Sequence, residues 1–286
     1  MKKKVIITGI SSEIMQKIAQ QFGQGNYEVI GVSRTLKVLE NVTIVNADIN
    51  NLQSIKDTFS NCQAIIHGAA ITHTKREKDY LNINYNATKK LVELAKQNQV
   101  EHLIFISSYT ASLAGGGYAK SKYLAEEYIK ENFRNYTIIR LSEVFGTVKS
   151  EGIEKLIQDA FTKKIVLCPT GLTTKLYPIY IEDAVKQTTK LIQQKAQGLY
   201  IINGAKGYSY FELLRVTKEL TQRNFKVVKI SKIAMKMLGI LATILPFNIG
   251  MVPDQVKRLY VKKEIAKNNT TTTSIEEYVN KLNAYK

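Results

Sequence analysis

The sequence is short of several things, and each shortage narrows what it can be. It has two cysteines, Cys62 and Cys168, in 286 residues. That excludes a disulfide-stapled scaffold, gives no metal or redox spacing, and favours a reducing cytoplasm. Arginine is scarce: seven of the 41 basic residues, the rest being lysine. Acidic residues number 24, so the formal net charge is +17. A charge made of lysine on a chain also rich in Asn, Ile and Tyr argues against arginine-led phosphate recognition and against nucleic acid as a partner. Long apolar runs are missing too. The N-terminal run stops at Ser11-Ser12-Glu13, too short for a signal peptide. Residues 237–253 are seventeen without a charge, interrupted by Pro246, Asn248 and Gly250. A spanning helix needs about 20. The two readings left open there are an amphipathic helix lying on a membrane and a helix packed on the main domain.

What is present is a core. The chain is 44% hydrophobic and 23% charged, as expected of a globular protein. Apolar runs at Val5–Thr8, Val29–Val32, Val42–Asn46, Ala64–His67, Leu103–Ile106 and Thr137–Leu141 predict strands. Between them, helical spacing is found over Glu13–Phe22, Leu52–Phe59, Tyr85–Gln97 and Tyr118–Glu131. Apolar strands alternating with amphipathic helices predict an α/β, doubly wound parallel sheet, Rossmann-like. Beyond about residue 150 the pattern loosens. Helices are expected at Gly152–Phe161, Ile181–Gln193, Tyr210–Leu220 and Ser274–Leu282, with a strand at Gly198–Asn203. The expected division is a dinucleotide-binding domain over 1–150 and a smaller C-terminal α/β substrate lobe over 151–286, interleaved with it.

Ligands of such a sheet sit beyond the carboxyl ends of the strands. There the fifth strand ends in Ser107-Ser108, and the next helix carries Tyr118 and Lys122. Residues four apart share a helix face. A lysine beside a phenol favours the phenolate, and a serine hydroxyl can hold a substrate oxygen next to it. Such a set can move a proton to or from an alcohol while hydride moves at the same carbon. His67, His73 and His102 lie on separate elements with no metal spacing.

These pieces, taken together, resemble the extended short-chain dehydrogenase/reductase family, in its nucleotide-sugar epimerase/dehydratase branch. They are ITG at 7–9, ADI at 47–49, IIHGAA at 65–70, NYNAT at 84–88, FISS at 105–108, YAKSK at 118–122, IIRLSEVFG at 138–146 and YPIYIEDAV at 177–185. The resemblance runs from Val5 to about residue 215. It implies Ser108, Tyr118 and Lys122 as the catalytic set, with Ser107 as alternative to Ser108. It implies cofactor contacts from Gly9, Ser11, Ser12, Glu13, Ile14, Arg34, Asp48, Ile49, Ala69, Asn84 and Lys122. Substrate contacts are expected from Ser108, Tyr109, Ser142 and Glu143, with no metal. The cofactor implied is NADP or NAD, NADP being favoured because Arg34, rather than an acid, follows the second strand. The substrate implied is a nucleotide sugar, epimerised or reduced at a 4-keto group in surface polysaccharide biosynthesis. A homodimer is left open.

Two departures stand out. The family loop is Thr-Gly-x-x-Gly-x-x-Gly, whereas this chain has Ser12 and Met15 at the second and third glycines. Either the cofactor loop is shifted, or the chain is a non-catalytic binding or assembly protein that has lost the cofactor. Ser108 and Tyr118 are also only ten apart, across Gly115-Gly116-Gly117, and Tyr109 stands where dehydratases carry an acid. Finally, residues 226–263 hold eight basic residues and one acid, Asp254. Cations beside an apolar run fit substrate phosphates, solvent, or an anionic membrane surface touched through 232–263. The expected location is cytoplasmic, with membrane association open.

Overall fold

The structure is a computed structural model that describes residues 2–35, 38–149, 151–172, 174–244, 253–267 and 272–284. The middle of the uncharged run, 245–252, and the Asn/Thr stretch 268–271 lie outside the described residues. The chain opens with β1 (Lys3–Thr8), α1 (Glu13–Gly23), β2 (Tyr27–Ser33) and β3 (Thr43–Asn46). A 3₁₀ segment over Ile49–Phe59 follows, broken at Asn51 and Ile55, where a regular helix was expected. Next come β4 (Cys62–His67) and α2 (Glu77–Tyr80), which runs through a π turn into α3 (Ala87–Gln97). Then β5 (His102–Ser108), α4 (Gly116–Asn132), β6 (Tyr136–Leu141), β7 (Val144–Phe145) and α5 (Gly152–Thr162) follow. The remainder is β8 (Ile165–Pro169), β9 (Ile179–Tyr180), α6 (Ile181–Gln193), β10 (Gly198–Ile202), α7 (Tyr210–Thr221), β11 (Lys226–Ile230), α8 (Lys232–Ile244), α9 (Pro253–Leu259) and α10 (Ile275–Ala284).

Seven strands form one parallel sheet in the order β10-β6-β5-β4-β1-β2-β3. The strand order reverses between β1 and β4, which places a crevice at their carboxyl ends. Alternation along the strands splits the core in two. Val5, Ile7, Ile66, Ile104 and Ile139 pack against α1 and α6 on one face. Ile6, Ile65, Leu103, Phe105 and Ile138 pack against α3 and α4 on the other. Both faces are covered, which is why the strands read as continuous apolar runs.

The chain crosses its expected boundary more than once. β10 pairs with β6 in the main sheet, and Thr189 on α6 donates to Gln21 on α1. A separate core joins Phe145, Ile153, Ile157, Leu213 and Val279, and another packs Val166 and Cys168 of β8 against Leu214 and Phe225 beside the β8–β11 pair. In that pair only Val166 and Cys168 of β8 are fully buried.

Candidate active site

β5 delivers two serines to opposite sides, because successive strand residues alternate. Ser107 is buried and donates to Glu126 on α4. Glu126 also takes the Arg140 guanidinium at 2.7 Å. Ser107 is thereby committed to the core, and Ser108 is the serine at the strand end. Its hydroxyl lies 2.8 Å from the Thr110 hydroxyl, and it favours ionisation of the Tyr118 phenol. Ser108, Tyr109, Tyr118, Ser142 and Glu143 line one cavity of about 440 Å³. The side-chain oxygen of Ser142 is buried with no hydrogen-bond partner. A buried hydroxyl left unpaired beside a polar cavity is a contact for whatever fills it.

The start of α4 is built by a distant element. Gly115, its N-cap, has no side chain to offer. Asp254 on α9 does the capping: its Oδ1 accepts from the Tyr118 N–H at 3.2 Å. Gly116 has φ +89°, and a Cβ there would come 2.5 Å from the Asp254 Oδ1. Gly116 is therefore required by the approach of α9, whereas a Cβ at Gly115 would meet Ala119 and one at Gly117 would meet Tyr80.

Arg258, one turn along α9, ion-pairs with Asp254 at 3.0 Å and donates to the Thr72 carbonyl at 2.8 Å. Its guanidinium carbon sits 4.5 Å from the centre of the Tyr118 ring. This corrects the expected charge arrangement. Lys122 was to be the cation beside the phenol, but its Nζ donates to the Ile106 carbonyl at 2.7 Å and lies 4.1 Å from the Phe105 ring. Burial lowers its pKa to about 7. Burial raises the Tyr118 phenol above its ordinary value, and the Arg258 charge and the Ser108 hydroxyl oppose that rise. The residues missed in the sequence are thus Asp254 and Arg258. The one available signal was a lone acid, four residues before an arginine, in a lysine-rich window.

Deeper in the cavity, Tyr109 donates to Glu143. Burial raises the Glu143 carboxyl, and Lys263 pulls it down. The Lys263 Nζ is buried 3.8 Å from the Glu143 Oε1, close enough for attraction and too far for a full hydrogen bond. In the sequence, Lys263 is marked only as part of the basic window. His73 sits at the rim, its Nε2 2.6 Å from the Gln255 amide nitrogen. His67 is buried between the Thr8 and Thr88 hydroxyls.

The cofactor loop follows β1. Gly9 has φ +79°, and a Cβ there would lie 2.5 Å from the Ala69 nitrogen. Only glycine fits. The Ser12 hydroxyl caps α1 by accepting from the Met15 N–H, and its own hydrogen is left to donate. Glu13 and Ile14 occupy the first turn, whose N–H groups have no partner within the helix and favour anions. Met15, the misfit at the third glycine, is fully buried, and the room it uses is at Gly68, where a Cβ would overlap its sulfur. A glycine on the neighbouring strand end thus replaces the missing one. Two cofactor assignments change character. The Glu13 carboxylate accepts from the Val148 N–H at 2.8 Å, tying the loop after β7 to the helix start. The Asn84 side chain is spent inside the protein, on Ile71 and Ser121, so it positions the strand-end loop. Arg34 is exposed just past β2, and Asp48 caps the 3₁₀ segment that begins at Ile49. Ser11 precedes the Ser12 cap, and the Ala69 N–H donates to Thr8.

Residues 5–203 match the NAD dependent epimerase/dehydratase family. The chain belongs to that family. It is 23% identical to the spore coat polysaccharide biosynthesis protein SpsK of Bacillus subtilis, over 76% of this chain and 78% of that one. It is 22% identical to subunit 9 of the mitochondrial NADH dehydrogenase 1 alpha subcomplex of Rattus norvegicus, over 77% of this chain but only 59% of the rat protein. In fold it is similar to the UDP-glucuronic acid 4-epimerase of Bacillus cereus, seen as a mutant in complex with NAD and a fluorinated UDP-sugar. The TM-score is 0.71 at 16% identity, covering 90% and 97% of the two chains. The Bordetella bronchiseptica enzyme WbmH, in complex with NAD+, is similar at a TM-score of 0.69 and 19% identity, covering 81% and 88%.

Proposed function

We propose that this family member is an NAD(P)-dependent enzyme that epimerises a nucleotide sugar or reduces its 4-keto form, in surface polysaccharide biosynthesis. The observation that carries the reading is that Ser108 and Tyr118 line the same cavity beyond the carboxyl end of β5. The bound nicotinamide supplies hydride exchange. Gly9 and the first turn of α1 hold the pyrophosphate, with the Ser12 hydroxyl as an added donor. Tyr118 exchanges the proton of the sugar hydroxyl, Ser108 fixes its oxygen, and Lys122 holds a ribose hydroxyl. Ser142 offers the substrate an unpaired hydroxyl, and Lys263 a cation with hydrogens left to donate. Arg34 takes the 2′-phosphate of NADP. The likeness to SpsK supports the polysaccharide setting.

Calorimetric titration with NADH and NADPH, joined to a kinetic screen of nucleotide sugars, tests the reading. The protein binds at least one cofactor, and Tyr118→Phe keeps that binding while losing about 10²–10⁴-fold in turnover. Arg34→Ala weakens NADPH far more than NADH. Failure to bind either cofactor sinks the proposal. A second reading is a non-catalytic binding subunit. It is favoured by Ser12 and by the Glu13–Val148 bond across the start of α1, and the likeness to a subunit of an NADH dehydrogenase subcomplex supports it. Cofactor binding without turnover, and biological function untouched by Tyr118→Phe, would select it.

A further inference from the structure

On α8, Ile233 is 73% exposed, Met237 61% and Leu241 47%. They stand at i, i+4 and i+8, so they form one stripe along the helix. Ile240, 61% exposed, borders it. The opposite side of α8 is in use: Met235 is buried, and Gly239 lies against Val256 of α9. Next to the stripe is a groove of about 720 Å³. Its apolar floor includes Val256, Tyr260 and Val261, and its rim carries Lys232, Lys236, Lys257 and Lys262. Lys232 also lies 5.2 Å from the Tyr260 ring, and Lys257 is 4.0 Å from Glu77, an exposed pair of little strength. The one acid of the window, Asp254, is turned inward onto α4 and Arg258. The outer face is therefore an apolar stripe framed by cations, and the sequence stays uncharged from Met237 to Pro253.

We propose that α8 is a docking surface for an anionic membrane. Ile233, Met237 and Leu241 enter the boundary between headgroups and acyl chains, and the four lysines meet lipid phosphates. No helix among the described residues is long and apolar enough to cross a membrane, so α8 lies in the interface plane. Charge complementarity selects this occupant over a second copy. An isologous dimer would set the same lysine rim against itself. The inference is independent of whether the cavity turns over a nucleotide sugar.

The test is flotation of the full-length protein with phosphatidylcholine vesicles containing about a third phosphatidylglycerol, beside pure phosphatidylcholine vesicles, at low and high salt. The protein floats with the anionic vesicles at low salt, floats less at high salt as screening grows, and stays behind with neutral ones. Each Lys→Gln change on the rim weakens partitioning about fivefold. The exposed triple change Ile233→Ser, Met237→Ser, Leu241→Ser abolishes flotation while thermal unfolding and cofactor binding stay as in the parent. No flotation on anionic vesicles overturns the proposal. So does flotation that ignores the stripe variants. A dimer by light scattering that the stripe variants dissociate, without flotation, assigns the face to a second copy and overturns it equally.

Discussion

Replacing Arg258 by glutamine removes a cation whose guanidinium carbon is 4.5 Å from the Tyr118 ring centre. At an effective dielectric of about 20, unit charges at that separation interact by about 3.7 kcal/mol. Asp254, 3.0 Å from the Arg258 Nε, bears the opposite charge and faces the same phenol, so it cancels a large part. A remainder of about 1–2 kcal/mol corresponds to about one pKa unit. The sign is fixed by the chemistry. Without the cation the phenolate is disfavoured, so a pKa already raised by burial rises further, and the acidic limb of any phenolate-dependent oxidation moves up with it. Other neighbours of the ring are the Ser108 hydroxyl and the Tyr80 ring, 6.2 Å away, and neither carries charge at neutral pH. The assay needs no substrate: near-ultraviolet tyrosinate titration of each protein, with its Tyr118→Phe counterpart subtracted, isolates this one phenol. Asp254→Asn should move the same titration downward, since it removes the anion of the pair. An Arg258→Gln protein whose Tyr118 titrates unchanged or lower would falsify the assignment of Arg258 as the cation that tunes the phenol.

Gly68→Ala should destabilise the fold by about 1–3 kcal/mol through the clash with Met15. Added to Met15→Ala it should cost less than the sum of the two, as a double-mutant cycle in chemical denaturation will read; strict additivity refutes the pairing. His67 is held neutral by burial, its pKa lowered to about 3. Its stabilising effect is complete above about pH 6.5 and is lost as pH falls toward 3, because only the unfolded chain takes up the proton. Between pH 6.5 and 5 this amounts to about 2 kcal/mol, and His67→Gln should remove that part of the slope in equilibrium unfolding.

The main sheet was legible because strands buried on both faces are unbroken apolar runs, as in Ile6-Ile7 and Ile65-Ile66. Val144–Phe145 and Ile179–Tyr180 pair over two residues each, too few for any period to show. Lys226–Ile230 keeps lysines at 226 and 229 on a strand with no fully buried residue, so its charge spoke louder than its spacing. Within the site, Ser108, Tyr109, Tyr118, Ser142 and Glu143 share a cavity, since each follows a strand end or opens a helix. Asp254 and Arg258 were invisible as site residues because nothing local marks a side chain whose partner is 136 residues away. The burial of Met15 was equally non-local, resolved by a glycine on another strand end.

The Asp254 cap on Tyr118 sets an order of assembly. Ser108 and Lys122 are made early, and the sheet is complete once β10 ends at Ile202, still before residue 254 exists. At about 5–20 residues per second, a ribosome needs roughly 3–10 seconds to synthesise the stretch from Ile202 to Asp254. During that time α4 has a glycine start with no side-chain cap, and the Tyr118 phenol has no cation against its ring. The nascent protein can thus fold its core early while its chemistry stays unfinished until α9 emerges and folds back.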